Sequence, residues 1–167
     1  QNPYEFEGTF PMIKAQRDRF MFSINSSYLS PEDELAVIRR SNKGHLVWDD
    51  FSAALELEPL LSPEQLLRCI EAVRQNTIEE PVLRYIRNLV VATRTHPDID
   101  LGASSRASIA LVRGGKAMAA LRNSSYVIPD DIKEIAMAVL PHRILLTREA
   151  EIGGLTPPQV IDEILRK

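Results

Sequence analysis

Two arginines have the type and placement to do chemistry in this chain. Arg106 follows Ser104-Ser105 at the start of a stretch, Ser105 to Arg122, that reads as a helix. A permanent cation in a first helical turn stands where the macrodipole already presents positive charge, which is locally unfavourable. An anion at that helix end reverses the sign, because backbone N–H groups and the guanidinium then converge on a phosphate. An ion pair with Asp98 or Asp100, just upstream, is the other reading, and the residues alone leave both open. Arg19 lies in Gln16-Arg17-Asp18-Arg19-Phe20, where a short helix hands over to the apolar run Phe20–Ile24. Taken singly it reads as a surface residue in a salt bridge. Lys14 and Asp18, four apart, are spaced to pair on the helix surface.

Other stretches imitate sites. Arg113-Gly114-Gly115-Lys116 suggests a phosphate loop, but G-x-x-x-x-G-K-[ST] needs glycine where Ala110 stands and a hydroxyl where Ala117 stands. Leu46-Val47-Trp48-Asp49-Asp50 imitates a strand ending in metal-binding acids, yet three apolar residues after Gly44 do not make a buried central strand. His96-Pro97-Asp98 is the J-domain tripeptide, but the helix before it lacks that domain's strong basic character, and a helix stop followed by proline explains it better. His45, His96 and His142 are far apart in sequence without metal-ligand spacing, so no metal site is expected. No nucleophile elbow or Ser-His-Asp arrangement is present in the sequence.

Bulk properties set the frame. A chain of 167 residues can bury one good core, and 44% hydrophobic with 26% charged residues is ordinary for a globular protein. No apolar run approaches the roughly 18 residues of a membrane helix, so no membrane span is expected. A net charge of −3 argues against a protein built to bind nucleic acid. The single cysteine, Cys69, excludes an internal disulfide framework; its neighbours Leu66, Leu67, Ile70 and Val73 make it a packing residue, and a cytoplasmic setting is expected.

The elements that must position the arginines are mostly helices. Ser30-Pro31-Glu32-Asp33, Ser62-Pro63-Glu64-Gln65 and Thr156-Pro157-Pro158-Gln159 each put a hydroxyl at the N-cap, proline at the first helical position and an acceptor three residues on. Apolar stripes after Ser62 (Leu66, Leu67, Ile70, Val73) and after Glu80-Pro81 (Leu83, Ile86, Val90) predict two helices that each bury one face. Ser105 to Arg122 carries small residues at Ala110, Gly114 and Ala117, with Leu121 beyond. Its interior glycines each cost about 1 kcal/mol relative to alanine, so close packing is expected to compensate. A further helix follows Pro129-Asp130-Asp131, with Ile132, Ile135, Ala136 and Val139 inward. Only Phe20–Ile24, FMFSI, reads as a strand.

Two long runs then carry a resemblance. QNPYEFEGTFPMIKAQRDRF resembles T-Q-N-P-x-E-x-E-G-T-Y-x-L-P-E-A-Q-L-D-R-F of the MoxR family of AAA+ ATPases. LVVATRTHPDIDLGASSRASIALVRGGKAMAAL, with YVIPDDIKEIAMAVLPHRILL after it, is similar to that family's lid, where L-V-x-A-T-R, L-G-A-S-P-R-A and Y-V-x-P-x-D-V recur. The match covers nearly the whole chain in the expected order and is weakest from Ser41 to Leu61. Ile13-Lys14 replaces the usual Pro-Glu, Arg17 a Leu, Ser105 a Pro, and Pro141 stands where the family often has Arg.

The resemblance implies a mainly α chain: the carboxy-terminal part of an α/β AAA+ core, one or two strands with flanking helices, over residues 1–40, a linker over 41–61, and a helical lid over 62–167. Upstream sequence with the phosphate loop and metal-binding acids is expected before Gln1. Asn2 matches sensor 1, which orients the attacking water. Arg19 matches the arginine finger that reaches a neighbouring subunit's ATP. Arg106 matches the sensor-2 arginine, which touches nucleotide phosphates. Arg17 is a second nearby finger candidate. The intact protein is expected to bind ATP and Mg²⁺ and to hydrolyse ATP as a hexameric ring, remodelling partners that include von Willebrand factor A domain proteins. Residues 1–167 on their own are not expected to be active or to bind nucleotide. A helicase or chelatase relative shares such arginines, but the lid sequence favours MoxR. From a different class, a helical adaptor without nucleotide chemistry would have its arginines merely paired with acids.

Overall fold

The computed structural model describes residues 12–42 and 59–166. The chain forms two compact units, one of residues up to Ile24 together with Ile70 onward, the other from Asn25 to Cys69.

The second unit contains α2 of the chain, Pro31–Asn42, after α1 (Lys14–Arg17) of the first, and then most of α3, Pro63–Gln75. Both α2 and α3 start where the caps predict. The Asp33 amide donates to Ser30 Oγ at 3.1 Å, the Gln65 amide donates to Ser62 Oγ at 3.2 Å, and the Ser62 amide donates to Gln65 Oε1 at 2.7 Å. The apolar stripe of α3 does not bury as expected: Leu66, Leu67 and Ile70 are exposed, and so is Cys69. Helical spacing tells which face is apolar, not what covers it.

The first unit is built on four helices, α4 (Glu80–Thr95), α5 (Ser105–Leu121), α6 (Pro129–Val139) and, after the short α7 (Arg148–Ile152), α8 (Pro157–Arg166). α5 packs between α4 and α6, and α8 closes against both of those. Ile86, Val90, Leu111, Ile132, Val139, Leu140, Val160 and Ile161 form its fully buried centre. Leu83 and Leu121 lie outside it, because the buried face of α4 runs through Val82, Ile86, Leu89, Val90 and Thr93, and α5 turns Ala107, Ala110, Leu111, Gly114, Gly115 and Ala119 inward. The glycines are used as expected. A Cβ at Gly114 would stand 2.8 Å from Ile135 Cγ1, and one at Gly115 would collide with Ile132 and come within 3.2 Å of Val127 Cγ1. Their absence lets α6 lie close along α5.

The strand expected at Phe20–Ile24 does not form. Those residues are irregular: no described strand lies beside them, and the Ser23 amide donates instead to the Ala138 carbonyl near the end of α6, at 2.9 Å. Among the described residues the strands are β1 (Ile99–Leu101) and β2 (Leu145–Leu146), an antiparallel pair with Ile99 opposite Leu146. At three and two residues they are too short to show a period of two in sequence.

Candidate functional site

The start of α5 is fixed by the end of α4. Thr93, fully buried, donates its hydroxyl to the Val90 carbonyl at 2.7 Å and accepts the Ala103 amide at 3.0 Å. Arg94 Nε donates to the Ala103 carbonyl at 2.9 Å. Between them Gly102 passes so close that a Cβ would lie 2.6 Å from the Thr93 carbonyl oxygen and 2.7 Å from Arg94 Cα. The Ala-Thr-Arg and Leu-Gly-Ala runs are therefore one interlocked turn that aims the start of α5.

Ser104 caps that start. Its hydroxyl accepts the Arg106 amide at 3.2 Å and donates to the Asp18 carboxylate, 2.9 Å from Oδ2 and 3.1 Å from Oδ1. Arg106 Nε lies 3.8 Å from Asp18 Oδ2. Asp18 thus supplies the negative charge that the helix terminus and Arg106 call for, and neither Asp98 nor Asp100 plays that part. Asp18 does not pair with Lys14 in the expected helix-surface bridge. Lys14 Nζ is buried without a hydrogen-bond partner among the described residues; burial and then the charge of Arg17 lower its pKa, against the opposing pull of Asp100 and Asp18.

Arg143, at the end of the 3-10 turn Pro141–Arg143, reaches Asp18 from the other side, with Nη1 3.2 Å from Oδ1. Its side chain is only 2% exposed. Burial pulls its pKa down and Asp18 opposes this, so that the guanidinium keeps its charge against a carboxylate. Beside it, His142 Nε2 lies 3.2 Å from the Phe20 carbonyl oxygen. Burial lowers the His142 pKa; the Phe20 bond and Asp18 oppose that, while Arg143 and Arg17 add to it.

These contacts enclose a cleft of about 170 Å³ lined by Asp18, Arg19, Met21, Arg106, Ile109, Ala110, Arg113 and Arg143. Four guanidinium groups face one carboxylate there. Asp18 and Arg143 are paired with each other, whereas Arg19 and Arg113 have no side-chain hydrogen bond or ion pair among the described residues. A concave surface with this charge suits an anion with several oxygens. Its volume falls below the roughly 300–1,000 Å³ of a pocket that encloses a small molecule, as for a surface that covers one end of a larger ligand.

Of the residues singled out in sequence, Arg19 and Arg106 are brought together in this cleft and Arg17 is not among its lining residues. Asn2 lies outside the described residues, as do Leu46–Asp50. Sequence reasoning missed Arg113, which it weighed only as part of a failed phosphate loop; its position seven residues after Arg106, two helical turns along the same face, was the available signal. It also missed Arg143, for which there was no local signal. Among the described residues no group of three His, Cys, Asp or Glu side chains could hold a metal ion, and no helix is long and apolar enough to cross a membrane.

Comparison with known proteins bears on the family of the chain. Residues 91–164 match the family model described as the AAA lid domain. The chain is 38% identical to YeaC of Bacillus subtilis, an uncharacterised protein, over 99% of this chain and 49% of that one. It is 34% identical to the chaperone MoxR1 of Mycobacterium tuberculosis, over 99% of this chain and 44% of the relative. The crystal structure of a presumptive ATPase from Cytophaga hutchinsonii superposes with a TM-score of 0.86 at 40% identity, covering 100% of this chain and 51% of that one. The chain thus spans about half the length of the curated relatives it matches. The mainly helical fold and these likenesses agree: the chain belongs to the MoxR family of AAA+ ATPases, and its residues 91–164 match the AAA lid domain.

Proposed function

We propose that the intact protein is an ATPase in which this cleft contacts the phosphates of ATP bound at a subunit boundary. The single observation that carries the reading is the gathering of Arg19 and Arg106 in one cleft whose cations outnumber its lone carboxylate. Arg19 is the finger that reaches a neighbouring subunit's ATP and stabilises charge developing on the transferred phosphoryl group. Arg106 is the sensor-2 residue and holds the same phosphate end, with α5's first amides behind it. Asn2 serves as sensor 1. ATP and Mg²⁺ are bound by the whole assembly, with the core and lid borders as expected from the resemblance.

The assembly is a homo-oligomeric ring, a hexamer, acting in the cytoplasm as a chaperone-like remodeller; partners with von Willebrand factor A domains are its expected clients. The chaperone name of one relative supports this direction. The adaptor reading gains from the Arg106–Asp18 approach, but leaves Arg19 and Arg113 without a purpose. Arg106→Ala in the intact protein separates the two. The ATPase reading expects turnover to be lost while stability stays within about 1 kcal/mol; turnover at the wild-type level would sink the role given to Arg106.

A further inference from the structure

The Arg19 side chain has no hydrogen bond or ion pair among the described residues, so its place in the cleft is set by the backbone on either side of it. That backbone is not a strand, and no ladder holds it. Arg143 grips it at both flanks. Its Nη1 bonds Asp18 Oδ1 at 3.2 Å, and its Nη2 donates to the Phe20 carbonyl and, at 3.4 Å, to the Met21 carbonyl. His142 adds a second contact to the Phe20 carbonyl, and Met21 packs on the hydrophobic core. Arg143 lies 125 residues along the chain from Asp18 and is nearly fully buried.

We infer that Arg143 is a positioning residue for the phosphate-contacting arginine, clamping residues 18–21 so that Arg19 is presented to the cleft beside Arg106. The inference rests on the finger reading of Arg19. A planar guanidinium can bond a carboxylate with one nitrogen and two carbonyls with another; the single nitrogen of lysine keeps the charge but cannot span both. The clamp acts on geometry and not on nucleotide affinity, and a misplacement of about 1 Å is enough to cost up to 10²-fold in rate.

The test uses the intact protein with Arg143→Gln, Arg143→Lys, Arg19→Ala and the Arg19→Ala/Arg143→Gln pair, measuring ATP turnover, nucleotide affinity and hydrogen exchange. In Arg143→Gln, exchange over residues 20–24 accelerates while α4 peptides are unchanged, and kcat falls at least about tenfold with nucleotide affinity retained. Arg143→Lys, which keeps the buried charge, falls between Arg143→Gln and the native protein. In the Arg19→Ala background the Arg143→Gln change adds less than about twofold, because both act through one side chain. Unchanged exchange over residues 20–24, or equal losses with and without Arg19, would overturn the positioning role. Arg19→Ala with full turnover locates the failure in the finger reading, whereas loss in Arg19→Ala with full turnover in Arg143→Gln locates it in the clamp.

Discussion

Asp18 Oδ1 and Arg143 Nη1 meet at 3.2 Å, although 125 residues of sequence separate them. The same carboxylate accepts the hydroxyl of Ser104, which caps α5. One acidic side chain therefore ties the segment bearing Arg19 to the helix bearing Arg106. Replacing it by asparagine leaves the buried Arg143 without a counter-charge. Asp18→Asn is expected to lower unfolding free energy by about 3 kcal/mol, the lower end for breaking a buried pair, since Asp18 itself is partly exposed. Denaturant unfolding checks this, and a loss below about 0.5 kcal/mol would show that the pair is not holding the segment.

Gly102 is a backbone requirement. Its virtual Cβ meets the Thr93 carbonyl and Arg94 Cα, which cannot step aside as a side-chain tip can. Gly102→Ala is expected to cost about 1–3 kcal/mol by overpacking and to shift the start of α5. Thermal unfolding of the variant gives the stability, and the backbone amide shifts of Ala103 to Ala107 give the displacement; native values of both would contradict the interlocked turn.

Thr93→Val keeps the shape and removes the hydroxyl that accepts the Ala103 amide. A buried donor left unmade costs about 1–3 kcal/mol, so the variant should be less stable by that amount despite its added apolar carbon. An increase in melting temperature would show that the amide finds another partner.

His142 gives the fold a pH dependence with a definite sign. Burial depresses its pKa from the ordinary 6.5, with Arg143 and Arg17 acting in the same direction and the Phe20 carbonyl and Asp18 against it. The unfolded chain then binds the proton more readily than the folded one, and stability rises with pH through this window. The contribution is fully present above pH 6.5 and is lost as pH falls through the folded value. Melting curves between about pH 7.5 and 5 should show declining stability, and His142→Gln should flatten that decline. An unchanged slope in the variant would remove His142 as the cause.

The legible parts of the sequence were those where local chemistry decides. Proline at the first helical turn after a hydroxyl residue marks the starts of α2, α3 and α8, and the small residues of α5 announce a close packing that the structure makes with α6. Arg106 stood out because a cation at a helix start asks for an anion. Its acidic partner is not legible in the sequence, since Asp98 and Asp100 are near along the chain but Asp18 is the acid nearby in space. Phe20–Ile24 has a strand's composition, yet strand formation depends on an available partner, and these residues are engaged by Arg143, His142 and Ala138. Arg143 was invisible for the same reason: nothing in its neighbourhood along the chain states what it will touch.

Mixing intact subunits tests most directly whether the cleft serves a neighbour's nucleotide. One variant carries Arg19→Ala and Arg106→Ala, and the other a phosphate loop unable to bind ATP; each alone should lose about 10³-fold or more in turnover. If the cleft acts across the boundary, the mixture regains turnover, because the first subunit's ATP meets the second subunit's arginines. A mixture as inactive as its components, in rings shown to contain both variants, would contradict that placement.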